Sequence, residues 1–175
     1  MKTPTDVLRD EHRIILGALD MLETAAARSD GGRVLPESWW AETIEWLRAF
    51  ADRNHHAKEE RLLFPAMVKA GVPSEGGPIA VMLEEHTEGR ALVQAMATAA
   101  PAERPAVARR YVRLLRDHIE KENGVLFPLA DAVLDESTQA MLRGEFQGVA
   151  DQLGREASQD WAQATLDRLG AALSG

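Results

Sequence analysis

Histidine and glutamate recur in this sequence at a spacing that suits metal binding. The stretch HHAKEERLLFP begins at His55 and places Glu59 four residues later, and the stretch HIEKENGVLFP places Glu122 four residues after His118. Residues four apart lie on one face of a helix, so each pair can present an imidazole and a carboxylate together. These ligands suit iron, manganese or zinc. The sequence has no cysteine, which excludes thiolate ligands and disulfides.

The two stretches belong to an internal repeat. Residues 55–65 and 118–128 align without a gap and give H-x-x-K-E-x-x-x-L-F-P twice. A weaker correspondence relates residues 10–19 (DEHRIILGAL) to residues 84–93 (EEHTEGRALV). The repeat predicts two helical hairpins related by a pseudo-twofold axis, each with a Glu-His helix followed by a His-x-x-x-Glu helix.

The doubled histidine leaves two possible inward pairs. By spacing alone, either His55 with Glu59 or His56 with Glu60 could face the interior. The repeat favours His55 and Glu59, because they stand at the same distance from Leu-Phe-Pro as the histidine and glutamate of the second stretch. They also continue an apolar stripe, from which His56 and Glu60 are rotated by about one residue. We therefore predict that His56 and Glu60 lie outside the ligand set.

Strong helix formers dominate between loops rich in glycine, proline and serine, so an all-α fold is predicted. Four long segments, at about 5–28, 37–70, 78–98 and 102–134, carry apolar stripes with the period of a buried helix. Short connections favour an up-down antiparallel four-helix bundle over residues 1–134. The apolar spacing in residues 135–175 predicts one or two further helices. These helices either pack on the bundle as part of the same domain or form an interface with a second subunit.

Composition and charge limit the classes of function and partner that the chain can have. A chain of 175 residues with 45% hydrophobic and 27% charged residues suits one globular domain. The formal net charge of −8 argues against a nucleic-acid partner. No apolar run reaches membrane-span length and the N-terminus lacks the apolar stretch of a signal peptide, so a cytoplasmic protein without a membrane partner is expected.

Two further histidines complete a candidate site. They stand on the apolar stripes of the first and third segments, where the helices of a bundle would bring them to the same interior. Burying several imidazoles and carboxylates without a compensating cation would be very costly. We therefore predict a metal site formed by His12, His55, Glu59, His86, His118 and Glu122.

The order His, HxxxE, His, HxxxE, with LFP after each HxxxE and EHTEGR in the third segment, resembles the hemerythrin-like HHE cation-binding domains. The resemblance covers about residues 5–134 and implies a non-haem di-iron centre with an oxo or hydroxo bridge. It also implies that the four histidines are terminal ligands and that Glu59 and Glu122 bridge the metals. Spacing does not distinguish iron from zinc or manganese. Ferritin-like bundles fit poorly, because they use Glu-x-x-His.

One position departs from the oxygen-carrying hemerythrins, which have a second histidine one turn beyond the third-helix ligand. Here that position is Arg90. For six-coordinate metals, about two coordination positions remain open, which favours reaction over simple reversible carriage. Arg90 could point at the site, but a structural pairing with Glu84, Glu85 or the bundle end is favoured.

Tyr111 and the lysines of the repeated motif are predicted to have structural roles. Tyr111, the only tyrosine, could approach the metals, but core packing is favoured. Lys58 and its repeat counterpart Lys121 are expected in solvated salt bridges beside the inward stripe.

The leading functional hypothesis is a non-haem di-iron protein that binds dioxygen, peroxide or nitric oxide, in sensing or detoxification. An iron or oxygen sensor that acts on a protein partner through its C-terminal helices is the alternative, and a structural bundle without metal is a third. The sequence leaves open whether the protein is a carrier, a sensor or an enzyme, and whether it is a monomer or a homodimer.

Overall fold

The computed structural model describes residues 2–174, in which all regular secondary structure is helical and no β-strand occurs. The first and third helices are α1 (Pro4–Asp30) and α3 (Pro78–Thr98). Helix α2, residues 37–69, combines Glu37–Trp46 and Phe64–Lys69 with π-helical turns at Leu47–His56 and Glu59–Leu63. Helix α4, residues 104–133, combines Arg104–Lys121 and Phe127–Val133 with a π-helical turn at Glu122–Leu126.

Two more helices follow the bundle. They are α5 (Glu136–Leu153) and α6 (Gln159–Ala171), joined by the 3₁₀ turn Gly154–Ala157. The all-α prediction of a four-helix bundle with extra C-terminal helices is confirmed. Within the part of the chain described, no helix has the length and hydropathy that crossing a membrane requires.

Side chains fix where several helices begin. The Thr3 hydroxyl accepts a hydrogen bond from the Asp6 amide at 3.1 Å, and the Asp6 carboxylate accepts from the Thr3 amide at 2.9 Å. This reciprocal capping box satisfies two amides that a helix start leaves unpaired. Asp135 caps α5 and Ser158 caps α6, each by a side chain that accepts one backbone amide hydrogen bond. The first turn of α1 is therefore fixed two turns before His12.

The π-helical turns occur at equivalent places in the repeat. A π turn hydrogen-bonds five residues along rather than four, so it contains more residues per turn than an α-helix and changes which side chains share a face. The turns that begin at Glu59 and Glu122 match each other, whereas the longer one at Leu47–His56 belongs to α2 alone. This extra segment ends at the doubled histidine.

The hydrophobic core lies in two clusters along the bundle. One includes Ile15, Phe50 and Leu115, and the other includes Leu8 and Leu63. On α1 and α2 the predicted histidines fall between the residues of the first cluster and those of the second. The same holds for His86 on α3, and on α4 His118 is next to Ile119, the last residue of the first cluster on that helix. The polar site is therefore enclosed by apolar packing at both ends.

The C-terminal helices pack against the start of α2 and against α1. The indole nitrogen of Trp39 donates to the carbonyl of Leu169 at 3.0 Å, and that of Trp46 donates to the carbonyl of Ala162 at 3.1 Å. Both indoles are buried and have their hydrogen-bond partner in α6. The tail thus covers an apolar face that the four-helix bundle would otherwise expose.

Candidate metal centre

Buried histidine and glutamate side chains converge in the middle of the bundle. Their potential ligand atoms form two groups, and the atoms of each group lie within 4.8 Å of one another. One group comes from α1, α2 and α4, and the other from α2, α3 and α4. The first group is His12, His55, Glu59 and Glu122, and the second is His56, Glu59, His86 and His118.

Glu59 lies between the two groups. One of its carboxylate oxygens is 3.4 Å from Nε2 of His55, and the other is 3.4 Å from Nε2 of His86. These histidines come from different hairpins, α1–α2 and α3–α4. A carboxylate that faces two imidazole pairs in this manner has the arrangement of a ligand shared by two metal ions.

Glu122 repeats this arrangement from the opposite hairpin. Its Oε2 is 3.1 Å from Nε2 of His12, and its Oε1 is 3.3 Å from Nε2 of His118. The ring centroids of His12 and His55 are 4.6 Å apart with a tilt of 55°, and those of His86 and His118 are 4.8 Å apart with a tilt of 57°. The two imidazole pairs therefore have nearly the same geometry, as the pseudo-twofold repeat requires.

The donor atoms fit a cation. Both carboxylate oxygens of Glu59 and of Glu122, together with Nε2 of His12 and of His55, are buried, and none has hydrogen-bond geometry to a partner despite the short distance between Glu122 and His12. Buried polar atoms are normally paired, and leaving so many unpaired in one place is costly. Metal ions coordinated by these atoms would satisfy them, and the mixture of imidazole and carboxylate suits iron, manganese or zinc.

A second layer of contacts orients the imidazoles. Nδ1 of His55 lies 2.9 Å from the carboxylate of Glu11, which also accepts a hydrogen bond from Lys58. An imidazole whose Nδ1–H donates to a carboxylate keeps the Nε2 lone pair free for a metal. The repeat supplies the equivalent trio of Glu85, His118 and Lys121.

The other two imidazoles are held across the hairpins. Nδ1 of His12 is 2.9 Å from the side-chain oxygen of Asn123, and Nδ1 of His86 is 2.8 Å from the carboxylate of Glu60. Glu60 and Asn123 occupy equivalent positions of the repeat. All four predicted histidines therefore have Nδ1 occupied by an outer partner while Nε2 faces the centre.

Burial and mutual repulsion shape the charges at the centre. Burial, and then the nearby Glu122, raise the pKa of Glu59 well above its ordinary value. Burial also opposes ionisation of Glu122, but His118 and His12 outweigh it and lower the pKa of Glu122. Burial lowers the pKa of His55 to about 4, so this imidazole is neutral at pH 7. Without a metal, the centre therefore accommodates one carboxylate charge more easily than two.

The structure corrects the orientation predicted for His56, whose side chain lies inside the bundle beside the site, whereas its exclusion from the ligand set stays a prediction. His56 is only 4% exposed, and its ring stacks on His86 with centroids 3.9 Å apart and planes 19° apart. It ends the π-helical segment of α2, where the wider turn lets two consecutive histidines face the interior. The prediction assumed the α-helical period, and no residue pattern in the sequence indicated the π turn.

Two other predictions about charged neighbours need correction. Lys58 is 3% exposed and paired with Glu11 rather than solvated, whereas Lys121 is largely exposed. Arg90 has a structural pairing, as favoured, but its partners are Asp52 and Glu60, each 2.7 Å away, and not Glu84 or Glu85.

Glu60, expected outside the ligand set, is an outer partner of His86, and Tyr111 is buried in the core with its pKa raised by burial. The structure brings the six predicted site residues together, and their role as metal ligands stays a prediction.

Fold and site together define a class: helical bundles with a buried histidine and glutamate centre for cations. Residues 3–130 match the hemerythrin HHE cation-binding domain, and the chain belongs to this family.

Among curated proteins, the chain is similar to the iron–sulfur cluster repair protein YtfE of Escherichia coli O139:H28 and to that of Shigella boydii serotype 18. Each is 38% identical over 90 residues, which cover 44% of this chain and 40% of the relative. The match thus spans less than half of either protein. No solved structure matches the chain significantly.

Proposed function

We propose that the protein holds a dinuclear non-haem iron centre and binds dioxygen, peroxide or nitric oxide there. The observation that carries the proposal is the position of Glu59 and Glu122, each of which faces one imidazole pair with each carboxylate oxygen. Two buried carboxylates arranged between four imidazoles suit a pair of cations rather than one. Iron in such a centre supplies redox chemistry and coordination positions for small ligands.

Each residue of the candidate metal centre has a defined role in this proposal. His12 and His55 would hold one metal, His86 and His118 the other, with Glu59 and Glu122 shared between them. Glu11, Glu60, Glu85 and Asn123 fix the imidazole orientations through Nδ1. Apolar packing at both ends of the site excludes bulk water.

The family and the curated relatives of the chain favour iron over zinc or manganese. The chain belongs to the hemerythrin HHE family, and its curated relatives are described as iron–sulfur cluster repair proteins. Arg90, at the position where the oxygen-carrying hemerythrins have a histidine, is paired with two carboxylates and supplies no imidazole to the centre. The remaining open positions favour reaction with a ligand, and detoxification or sensing in the cytoplasm is the proposed role.

Metal quantitation tests the proposal. Protein expressed in iron-replete medium is expected to contain about two iron ions per chain. Its optical spectrum is expected to change on addition of azide or peroxide. His55→Ala and His118→Ala each remove one imidazole from a different pair and should reduce the iron content, whereas the surface variant Glu88→Gln should not. At most traces of any metal in the unaltered protein would contradict the dinuclear centre.

A sensor is the second candidate, and one contact favours it. The 3₁₀ turn Gly154–Ala157 packs on the π-helical segment that carries His55 and His56, and Arg53 pairs with Glu156 at 3.1 Å. A change of metal state at the histidines would reach the tail through this contact. Hydrogen exchange across α6 should then differ between metal-free and iron-loaded protein, and equal exchange would contradict the sensor.

A further inference from the structure

A cavity of about 340 Å³ lies between α2 and α3, beside the candidate metal centre. Ala51 and Leu47 line it from α2, Gly89 and Val93 from α3, and Tyr111 from α4. These residues form the apolar part of the wall, and charged or polar side chains complete the lining: Arg48, Asp52, Arg53, His56, Arg90 and Gln94. This volume is at the lower end of the range for small-molecule sites and far exceeds the space that one water molecule occupies.

The cavity exists on one side of the pseudo-twofold axis because the repeat is broken there. Ala51, His56 and Gly89 line the α2–α3 side. The repeat alignment places Leu114, Ile119 and Ile15 at the equivalent positions on the α4–α1 side. Small or polar side chains on one side thus correspond to large aliphatic ones on the other. The helices α1 and α4 pack closely, which leaves the second side filled.

The inner wall of the cavity is the imidazole of His56. This ring stacks on His86, so the cavity reaches the metal centre at the position of His86 and His118. The ring centroid of His118 is 5.9 Å from that of His56. His12 and His55 belong to the other imidazole pair, and neither lines the cavity.

We propose that this cavity is the route by which small uncharged molecules, such as nitric oxide or dioxygen, reach the metal centre. They arrive at the position held by His86 and His118 and meet His56 on the way. This inference rests on the proposed function, because it assigns the entry side of the same site. It goes further by making the two metal positions unequal toward exogenous ligands.

The charges around the cavity favour an uncharged molecule. Arg90 is already paired with Asp52 and Glu60, and Arg53 with Glu45 and Glu156. Arg48 is hydrogen-bonded to Gln94 at 2.9 Å. An anion that moves inward would lose its contacts with these guanidinium groups and with water. It would then be surrounded by leucine, alanine and valine side chains, and this desolvation is unfavourable. A small apolar or weakly polar molecule loses little on the same path.

The experiment fills the cavity from two different helices. Val93→Phe adds a ring from α3, and Ala51→Leu adds volume from α2 by the residue that the repeat carries on its filled side. Val81→Phe is the matched control, because Val81 is on α3 but 43% exposed and away from the cavity. Circular dichroism and iron content establish that each variant folds and loads metal, and Ala51→Leu replaces Val93→Phe if the latter does not fold.

Two measurements then test the route. Xenon is expected to bind the metal-free protein and shift the methyl resonances of Ala51 and Val93, and this binding should be lost in the filled variant. In iron-loaded protein, the association rate of nitric oxide should fall about tenfold in the filled variant and stay unchanged in Val81→Phe.

The outcomes separate the route from the proposed function. Normal iron content with an unchanged nitric oxide rate in a variant that no longer binds xenon would overturn the route and leave the metal centre intact. Absence of iron in the unaltered protein would overturn the proposed function and the access role with it, while xenon binding would still report the cavity. Slower association in the control as well would also overturn the route.

Discussion

The carboxylate of Glu11 lies 2.9 Å from Nδ1 of His55, and the same carboxylate accepts hydrogen bonds from Asn54 and Lys58. Glu11 is 1% exposed, so a buried carboxylate is held by three donors at the back of one imidazole. Although burial opposes its ionisation, His55 and Lys58 lower the pKa of Glu11. An ionised Glu11 fixes the His55 tautomer that presents Nε2 to the centre.

Replacing this carboxylate by an amide should weaken the metal centre without removing a ligand. Glu11→Gln keeps the shape but loses the charge that orients His55 and pairs with Lys58. Changes to such outer partners typically cost 10- to 100-fold in metal affinity, and we expect a loss of about that size. Competition with a chelator of known affinity measures it. Glu85→Gln should have a similar effect by the repeat, whereas equal affinity of Glu11→Gln and the exposed control Glu84→Gln would refute the orienting role.

The two central carboxylates should make the metal-free protein less stable than a neutral variant. Glu59 and Glu122 are both fully buried with unpaired oxygens, and burial raises the pKa of Glu59. In metal-free protein, Glu59→Gln should raise the free energy of unfolding by about 1 kcal/mol, since it removes a buried acidic group. Urea denaturation measures this change. The variant should also lose metal, and a metal-free Glu59→Gln less stable than the unaltered protein would count against this account.

Metal binding should release protons near neutral pH. Burial lowers the pKa of His12 and of His118, but Glu122 outweighs burial in each case and raises both pKa values above the ordinary value for histidine. Below these raised pKa values a proton competes with the metal for the imidazole, so affinity should weaken as the pH falls through them. His55, with its pKa lowered to about 4, contributes little above that pH.

Calorimetry with zinc, which has no redox chemistry, measures this release. Titrations at one pH in two buffers of different ionisation enthalpy should give different heats, and the difference gives the number of protons released. That number should be larger near pH 6 than near pH 8, which are about a unit on either side of neutrality. Heats that do not depend on the buffer would show that the metal displaces no proton.

The tail should stabilise the fold without contributing to the metal site. Leu169 is 2% exposed and lies on α6, where its carbonyl accepts from Trp39. Leu169→Ala should therefore lower the free energy of unfolding by about 2–5 kcal/mol, as leucine truncations in cores do. Thermal unfolding measures this loss, and iron content should stay unchanged. A variant of normal stability would mean that α6 is loosely attached.

Much of the fold could be predicted from helix spacing and loop composition. The third segment, predicted at 78–98, is α3 (Pro78–Thr98), and the second, predicted at 37–70, is the continuous helix α2. Helix propensity and apolar periodicity act locally, so they can be interpreted without tertiary contacts. The six candidate residues lie together because a bundle brings equivalent positions of its stripes to one interior.

The departures arise where tertiary structure overrides the α-helical period. His56 faces inward because the helix widens into π turns before it, which the sequence pattern does not reveal. The burial of Lys58 depends on Glu11, a residue 47 positions away on another helix. Arg90 finds Asp52 and Glu60 on α2 rather than its neighbours on α3, because these carboxylates face it across the helix interface. Partners of this kind follow only from the packing of one helix on another.

The repeat also bears on how such a site can diversify. A true homodimer of one hairpin would supply the same paired glutamates and histidines, but every substitution would then appear twice. When both hairpins are joined in one chain, each half can carry substitutions that the other half lacks. One face can therefore keep the small residues Ala51 and Gly89 beside a cavity, while the opposite face has Leu114 and Ile15 at the equivalent positions. Covalent fusion thus permits the two sides of the candidate metal centre to differ, which strict symmetry would forbid.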